Sequence, residues 1–161
     1  MEYKMRRPKQ QLTAQAAAAI LESATNGILS LVDADGEPYG VPLSYACDGN
    51  GHIYFHSAAR GHKIDSVGSG APCSFCVVDR DAVVPDEFTT YFRSVIVKGK
   101  IHIMDDYDEI HKGLLLLCAK YSPGIDPARE IAKCIGHVKV LRLDISQITG
   151  KQAIELVNRH N

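Results

Sequence analysis

The chain has 161 residues, of which 45% are hydrophobic and 23% charged, and its 18 basic and 19 acidic side chains leave a formal net charge of −1. That is the size and composition of one globular domain, residues 1–161, with a core of its own. A near-neutral chain has no global field to attract nucleic acid or membrane, no apolar run approaches the ~20 residues of a membrane span, and the polar first residues lack a secretion signal, so the expected location is cytoplasmic.

In chain order, the basic start (Lys4, Arg6, Arg7, Lys9) reads as a solvated terminus. A helix is expected over 13–24, with Thr13 as N-cap and Asn26-Gly27 as its end. Short strands then follow closely. The first, 28–32, reaches the turn Asp33-Ala34-Asp35-Gly36, whose Asp-Gly pair signals a hairpin. A return strand over 39–46 is followed by the turn Asp48-Gly49-Asn50-Gly51 and a strand over 52–56. A short helix over 64–67 stops at Gly68-Ser69-Gly70, ahead of a strand over 72–78 and an acidic, proline-containing loop over 79–87. The longest strand, 89–104, puts Val95, Val97, Ile101 and Ile103 on one face and Ser94, Lys98, Lys100 and His102 on the other. A helix over 106–120 carries the run Leu114–Leu117, apolar nearly all round and therefore expected to be well buried. A connector, a helical stretch over 128–135 and a strand over 137–145 complete the pattern. Six closely spaced strands with two or three helices predict a mainly β (α+β) domain, a small antiparallel barrel with peripheral helices.

The most informative stretch for function is Tyr54-Phe55-His56-Ser57-Ala58-Ala59-Arg60-Gly61-His62-Lys63-Ile64-Asp65. Here an apolar strand gives way to small and basic residues at the start of a helix. Small residues let a ligand approach the backbone closely, and Arg60, His62 and Lys63 add positive charge, which is the layout of a phosphate-binding turn. A solvated basic loop is the plainer alternative. Val41-Pro42-Leu43-Ser44 holds a proline inside a strand, which forfeits a ladder hydrogen bond and marks an edge or a bulge. Such a site exposes backbone groups to a ligand, or simply protects an edge against aggregation. Tyr91-Phe92-Arg93-Ser94-Val95-Ile96 could face a planar ligand or a second subunit, or be ordinary strand composition.

The five cysteines are odd in number and irregularly spaced, as suits a reducing compartment. Cys73 and Cys76 are three apart on a strand, so they point to opposite faces and share neither metal nor disulfide. No dinucleotide fingerprint, Walker sequence or zinc-protease motif occurs. His56 and His62 flank the basic turn, but no thiol or carboxylate nearby in sequence completes a metal site.

Taken together, these segments resemble the flavin-binding split-barrel proteins related to pyridoxamine-phosphate oxidase, and within them the nitroimidazole-resistance branch. The resemblance runs from Met5-Arg6-Arg7 through Gly40-Val41-Pro42-Leu43, the 53–65 block and Tyr91 to Gly99, ending at Ile148-Thr149-Gly150-Lys151. It implies a six-stranded antiparallel split β-barrel and a homodimer holding FMN at the subunit interface. By resemblance, Val41, Pro42, Leu43 and Ser44 lie along the isoalloxazine ring, while His56, Ser57, Ala58, Gly61, His62 and Lys63 surround the ribityl chain and phosphate. Tyr91, Arg93, Ser94 and Val95 would complete the pocket, from the same subunit or its partner. Tyr39 and Ser44 stand where the oxidases themselves have basic residues, and no C-terminal arginine/histidine substrate motif follows, which argues against vitamin B6 oxidation. The expected activity is reduction of small electron-poor molecules such as nitroimidazoles, with His56 as a candidate proton donor. A ribityl- or backbone-bound neutral His56 is its alternative role. Competing functions are a flavin or haem carrier without turnover, and a metal-dependent hydrolase using His56 and His62.

Overall fold

The computed structural model describes residues 4–158. Thr13 caps helix α1 (Ala14–Ser23), its hydroxyl oxygen accepting from the Ala16 N–H at 3.1 Å. Strands β1 (Asn26–Val32), β2 (Pro38–Ser44), β3 (Ala46–Cys47) and β4 (His52–Ala58) follow, then helix α2 (His62–Val67). Next come β5 (Ala71–Val84), β6 (Thr89–Ile103), α3 (Tyr107–Tyr121), α4 (Ala128–Cys134), β7 (Val138–Gln152) and α5 (Ile154–Asn158). All pairings are antiparallel, in the order β2-β1-β5-β6-β7-β4-β3.

Seven strands form, where six were expected, because the 39–46 strand breaks at Tyr45. The break defines the architecture. β2 and β3 lie at opposite edges of the sheet yet are one residue apart in sequence, so the sheet must roll until its edges approach. Tyr45 leaves the ladder at this corner, and Tyr121 of α3 satisfies its backbone. The Tyr121 hydroxyl accepts from the Tyr45 N–H at 2.9 Å and lies in donor reach of the carbonyls of Thr25 and Tyr45. The Tyr45 ring is fully buried, and its own hydroxyl donates to the Leu21 carbonyl.

The rolled sheet encloses one core. Leu29, Leu31, Ile53, Phe55, Phe75, Val77, Val95, Val97, Ile101, Leu141 and Leu143 alternate inward along their strands, and α1 adds Ala17, Ile20 and Leu21. Helices α3 and α4 cover the outside of β4 and β7 through Leu114 and Ile131 on Tyr54 and Val140. The Leu114–Leu117 run is only partly buried, because Leu115 faces away from the sheet.

Two expected boundaries shift. The acidic 79–87 loop is strand up to Val84, and only Pro85–Glu87 form a turn. A bulge at Asp79 absorbs the polar residues, and Ala82 and Val84 pack on a second cluster of Tyr91, Ala153 and Leu156. The last strand runs on to Gln152 because a bulge at Ser146 resets its alternation. Opposite that bulge a Cβ on Gly99 would lie 2.2 Å from the Asp144 carbonyl oxygen, so only glycine fits. Pro42 lies on an edge strand, as its missing N–H requires. All five cysteines are free, and burial pushes the Cys73 thiol up to about 12. Among the described residues no helix is long and apolar enough to cross a membrane.

Asp48 staples the β3–β4 turn to α3. Its carboxylate accepts from the Asn50 and His52 N–H groups, from Lys112 Nζ at 3.0 Å and from His52 Nδ1 at 2.8 Å. Burial alone would raise its pKa, but the bonds from His52, Lys112 and the backbone outweigh that and hold it well below the usual carboxylate range. A depressed carboxyl contributes stability that is complete above its unfolded pKa near ~4 and is lost as pH falls through the folded value. Urea midpoints should therefore fall on going from about pH 7 toward about pH 3, and Asp48→Asn should be less stable at neutrality with a shallower acid decline.

Candidate functional site

The structure brings two of the three expected segments together. β3 pairs with β4 in the register Ala46↔Tyr54 and Cys47↔Ile53. Past the Tyr45 corner, Ser44 at the end of β2 and His56 of β4 still line one cleft. Beyond this corner the two strands part, and among the described residues β2 pairs only with β1. The barrel is split along this seam. At the far end of β2, Tyr39 stacks on His62 of α2, with ring centroids 4.0 Å apart.

Each expected residue has a definite place. Val41 and Leu43 point inward onto the core, leaving their main chain at the seam, while Pro42 and Ser44 face outward. His56 and Ala58 are exposed on the seam side of β4, and Ser57 is buried between them. Ser44 and His56 line one cleft of about 380 Å³, walled by Leu117, Cys118 and Tyr121 of α3 and Cys134 of α4. Gly61, at φ 130, takes a backbone conformation that side chains avoid and has open space where a Cβ would stand. Lys63 is half-buried and has no ion pair or hydrogen bond among the described residues, and burial lowers its pKa. A partly desolvated ammonium without a counter-ion is costly unless an anion arrives. His62 is already engaged, its Nε2 lying 3.1 Å from Asp33 Oδ2.

The third segment lies elsewhere. β6 is separated from β2 by β1 and β5, and from β4 by β7. Val95 is fully buried in the core, Tyr91 sits in the second cluster with its hydroxyl on Glu87, and Arg93 pairs with Asp79 at 2.5 Å. Ser94 lies between Val78 and Lys151. Within one chain, then, 91–95 does not reach the seam. Sequence reading missed Asp33, Tyr121 and the α3–α4 wall, since each depends on a tertiary contact. Among the described residues no group of three or more His, Cys, Asp or Glu side chains gathers to hold a metal.

The family profile described as pyridoxamine 5'-phosphate oxidase matches residues 13–152, which span the split seven-stranded barrel. The chain belongs to the pyridoxamine 5'-phosphate oxidase family. Solved structures of this fold include a candidate 5-nitroimidazole antibiotic resistance protein from Bacteroides thetaiotaomicron, at 23% identity and TM-score 0.69 over 88% of this chain and 86% of that one. A FAD and haem binding protein from Mycobacterium smegmatis matches at 20% identity and TM-score 0.74, over 90% and 73%. A FAD-binding protein from Mesorhizobium loti matches at 21% and 0.66, over 89% and 95%. No curated protein matches the chain at a significant level. At these identities the likeness to solved structures establishes the family's split-barrel fold and leaves the reaction to be argued from the residues.

Proposed function

We propose that this chain is an FMN-dependent oxidoreductase of small electron-poor molecules such as nitroimidazoles, working as a homodimer. The observation that carries the reading is the split beside β2, where among the described residues its outer edge has no strand partner, and where Lys63, next to the His62 that stacks on β2, has no counter-ion. Unpaired backbone donors and acceptors at Val41 to Ser44 fit the polar edge of a planar ring. Gly61 allows a phosphate to approach the backbone, and Lys63 neutralises it as a point charge. FMN, when bound, supplies the electron transfer, and the protein supplies binding and orientation. The cleft beside Ser44 and His56 is large enough for a small heterocycle and mostly apolar. His56 lines the same cleft, which supports it as a proton donor to a substrate there. If His56→Ala leaves turnover unchanged with FMN still bound, His56 has no part in catalysis.

A second copy supports the site in this reading. The outward face of β1, β5 and β6 leaves apolar side chains exposed, and a partner seated on it would bring its own 91–95 segment toward the seam. Native mass spectrometry of the purified protein should show a dimer with one FMN per chain, and absorbance near ~450 nm should accompany it. NAD(P)H-driven reduction of a nitroimidazole would separate an enzyme from a carrier. Lys63→Ala should weaken FMN binding by about 10- to 100-fold, as expected for one charge-assisted contact to phosphate, with the deficit shrinking at high salt. A haem Soret band, or a protein that cannot take up FMN, sinks the proposal.

A further inference from the structure

The seam is open along most of its length but closed at one end. There Tyr39 of β2 and His62 of α2 stack at 4.0 Å with their planes 28° apart. His62 Nε2 reaches Asp33 Oδ2 at 3.1 Å, from the turn between β1 and β2. Asp33 is itself fixed, since its Oδ1 accepts from the N–H groups of Asp35 and Glu37, both at 3.0 Å. Those bonds, Glu37 first, keep its carboxyl below the ordinary range and therefore charged. Three side chains from three elements thus tie α2 to the β1–β2 hairpin beyond the end of β4, one residue from Lys63. The His62 side chain remains about half exposed, at 52%, so core packing does not explain the arrangement.

We infer that this Asp33–His62–Tyr39 latch sets the length of ligand the seam accepts, admitting a flavin that ends in a single phosphate and rejecting one extended by a second phosphate and adenosine. The inference rests on the flavin reading above and adds the residues that choose between FMN and FAD. A terminal phosphate beside Lys63 ends where the stacked rings begin. Any extension toward the turn must part Tyr39 from His62, and a second phosphate would then face the Asp33 carboxylate. The stack excludes by shape and Asp33 by like charge, so the discrimination comes from repulsion of the wrong ligand as well as attraction of the right one.

The test is titration of flavin-stripped protein with FMN and FAD separately, read as quenching of flavin fluorescence. The parent should bind FMN at least about tenfold more tightly than FAD. In the double variant Tyr39→Ala/His62→Ala the ratio should fall to within about threefold, mostly through a gain in FAD affinity. Tyr39→Phe, which keeps the stack, should retain the parent ratio. Equal affinities in the parent, or an unchanged ratio in the opened variant, overturn the inference. Should the double variant not fold, Asp33→Asn reads the electrostatic half alone, with FAD gaining about two- to threefold over FMN; no gain there also overturns it. A parent that takes up neither flavin brings down the underlying reading instead, so the two failures are distinct.

Discussion

Phe75→Ala is expected to destabilise the protein by about 3–5 kcal/mol, the usual range for deleting a fully buried aromatic. Phe75 lies at the centre of the core, edge-on to Tyr45 at 4.8 Å and to Phe55 at 5.2 Å. Each such pair adds about 0.5–1.5 kcal/mol beyond burial. Set against a typical total of about 5–15 kcal/mol, that loss is large. Urea unfolding should show a lower midpoint with an unchanged slope, and the melting temperature should drop by on the order of 10 °C. Because Phe75 buttresses Tyr45, the corner where β2 turns into β3 should loosen as well. The variant should therefore bind FMN less tightly even where it remains folded. A cost below about 1 kcal/mol would mean that the site collapses freely and that this ring is not a keystone of the core.

The sheet and its edges were largely legible in the sequence, for definite reasons. Alternation along 89–104 follows from a sheet with one face on a core, and Val95, Val97 and Ile101 are indeed fully buried. Pro42 marked an edge because proline cannot donate to a ladder. What the sequence hid is non-local. Nothing in Leu43-Ser44-Tyr45-Ala46 announces that the strand breaks there, because the break is stabilised by Tyr121, 76 residues away. The strand nature of Arg80–Val84 was masked by charge, and only its partner strand and the Tyr91 cluster reveal it.

The candidate site divides the same way between local and non-local signals. Residues 41–44 and 56–63 were expected to act together, and the links the fold shows between β2 and the 56–63 segment are the cleft shared by Ser44 and His56 and the stack of Tyr39 on His62. Lys63 was read as a phosphate-binding cation, with a solvated basic loop as the alternative, and the fold shows it half-buried with no ion pair or hydrogen bond among the described residues. Asp33 was read as a turn residue alone. Its tie to His62 connects residues 29 positions apart and has no sequence signal.

Ile96→Glu should have the largest effect on assembly. On the outward face of the sheet the pairings Pro42–Ile28, Ile28–Cys76, Cys76–Ile96 and Ile96–Thr149 align one mostly apolar row across five strands. Ile28 and Ile96 are each 43% exposed and Val78 61%, while the helices cover other parts of the barrel. A contiguous apolar patch of this kind is unusual on a monomer and common at an interface. A second copy of the chain, related by a two-fold axis, would set the same row against itself. Glutamate at position 96 would then bury two like charges near one another, at a cost of several kcal/mol. Sedimentation should show the parent as a dimer and Ile96→Glu as a monomer. The monomer should stay folded, since the substituted side chain points away from the core, and its circular dichroism should match the parent. On the proposal that residues 91–95 complete the site from the opposite subunit, it should also lose FMN. A variant that remains dimeric would place the interface on another face, and one that becomes monomeric yet keeps FMN would show that a single seam is sufficient for binding.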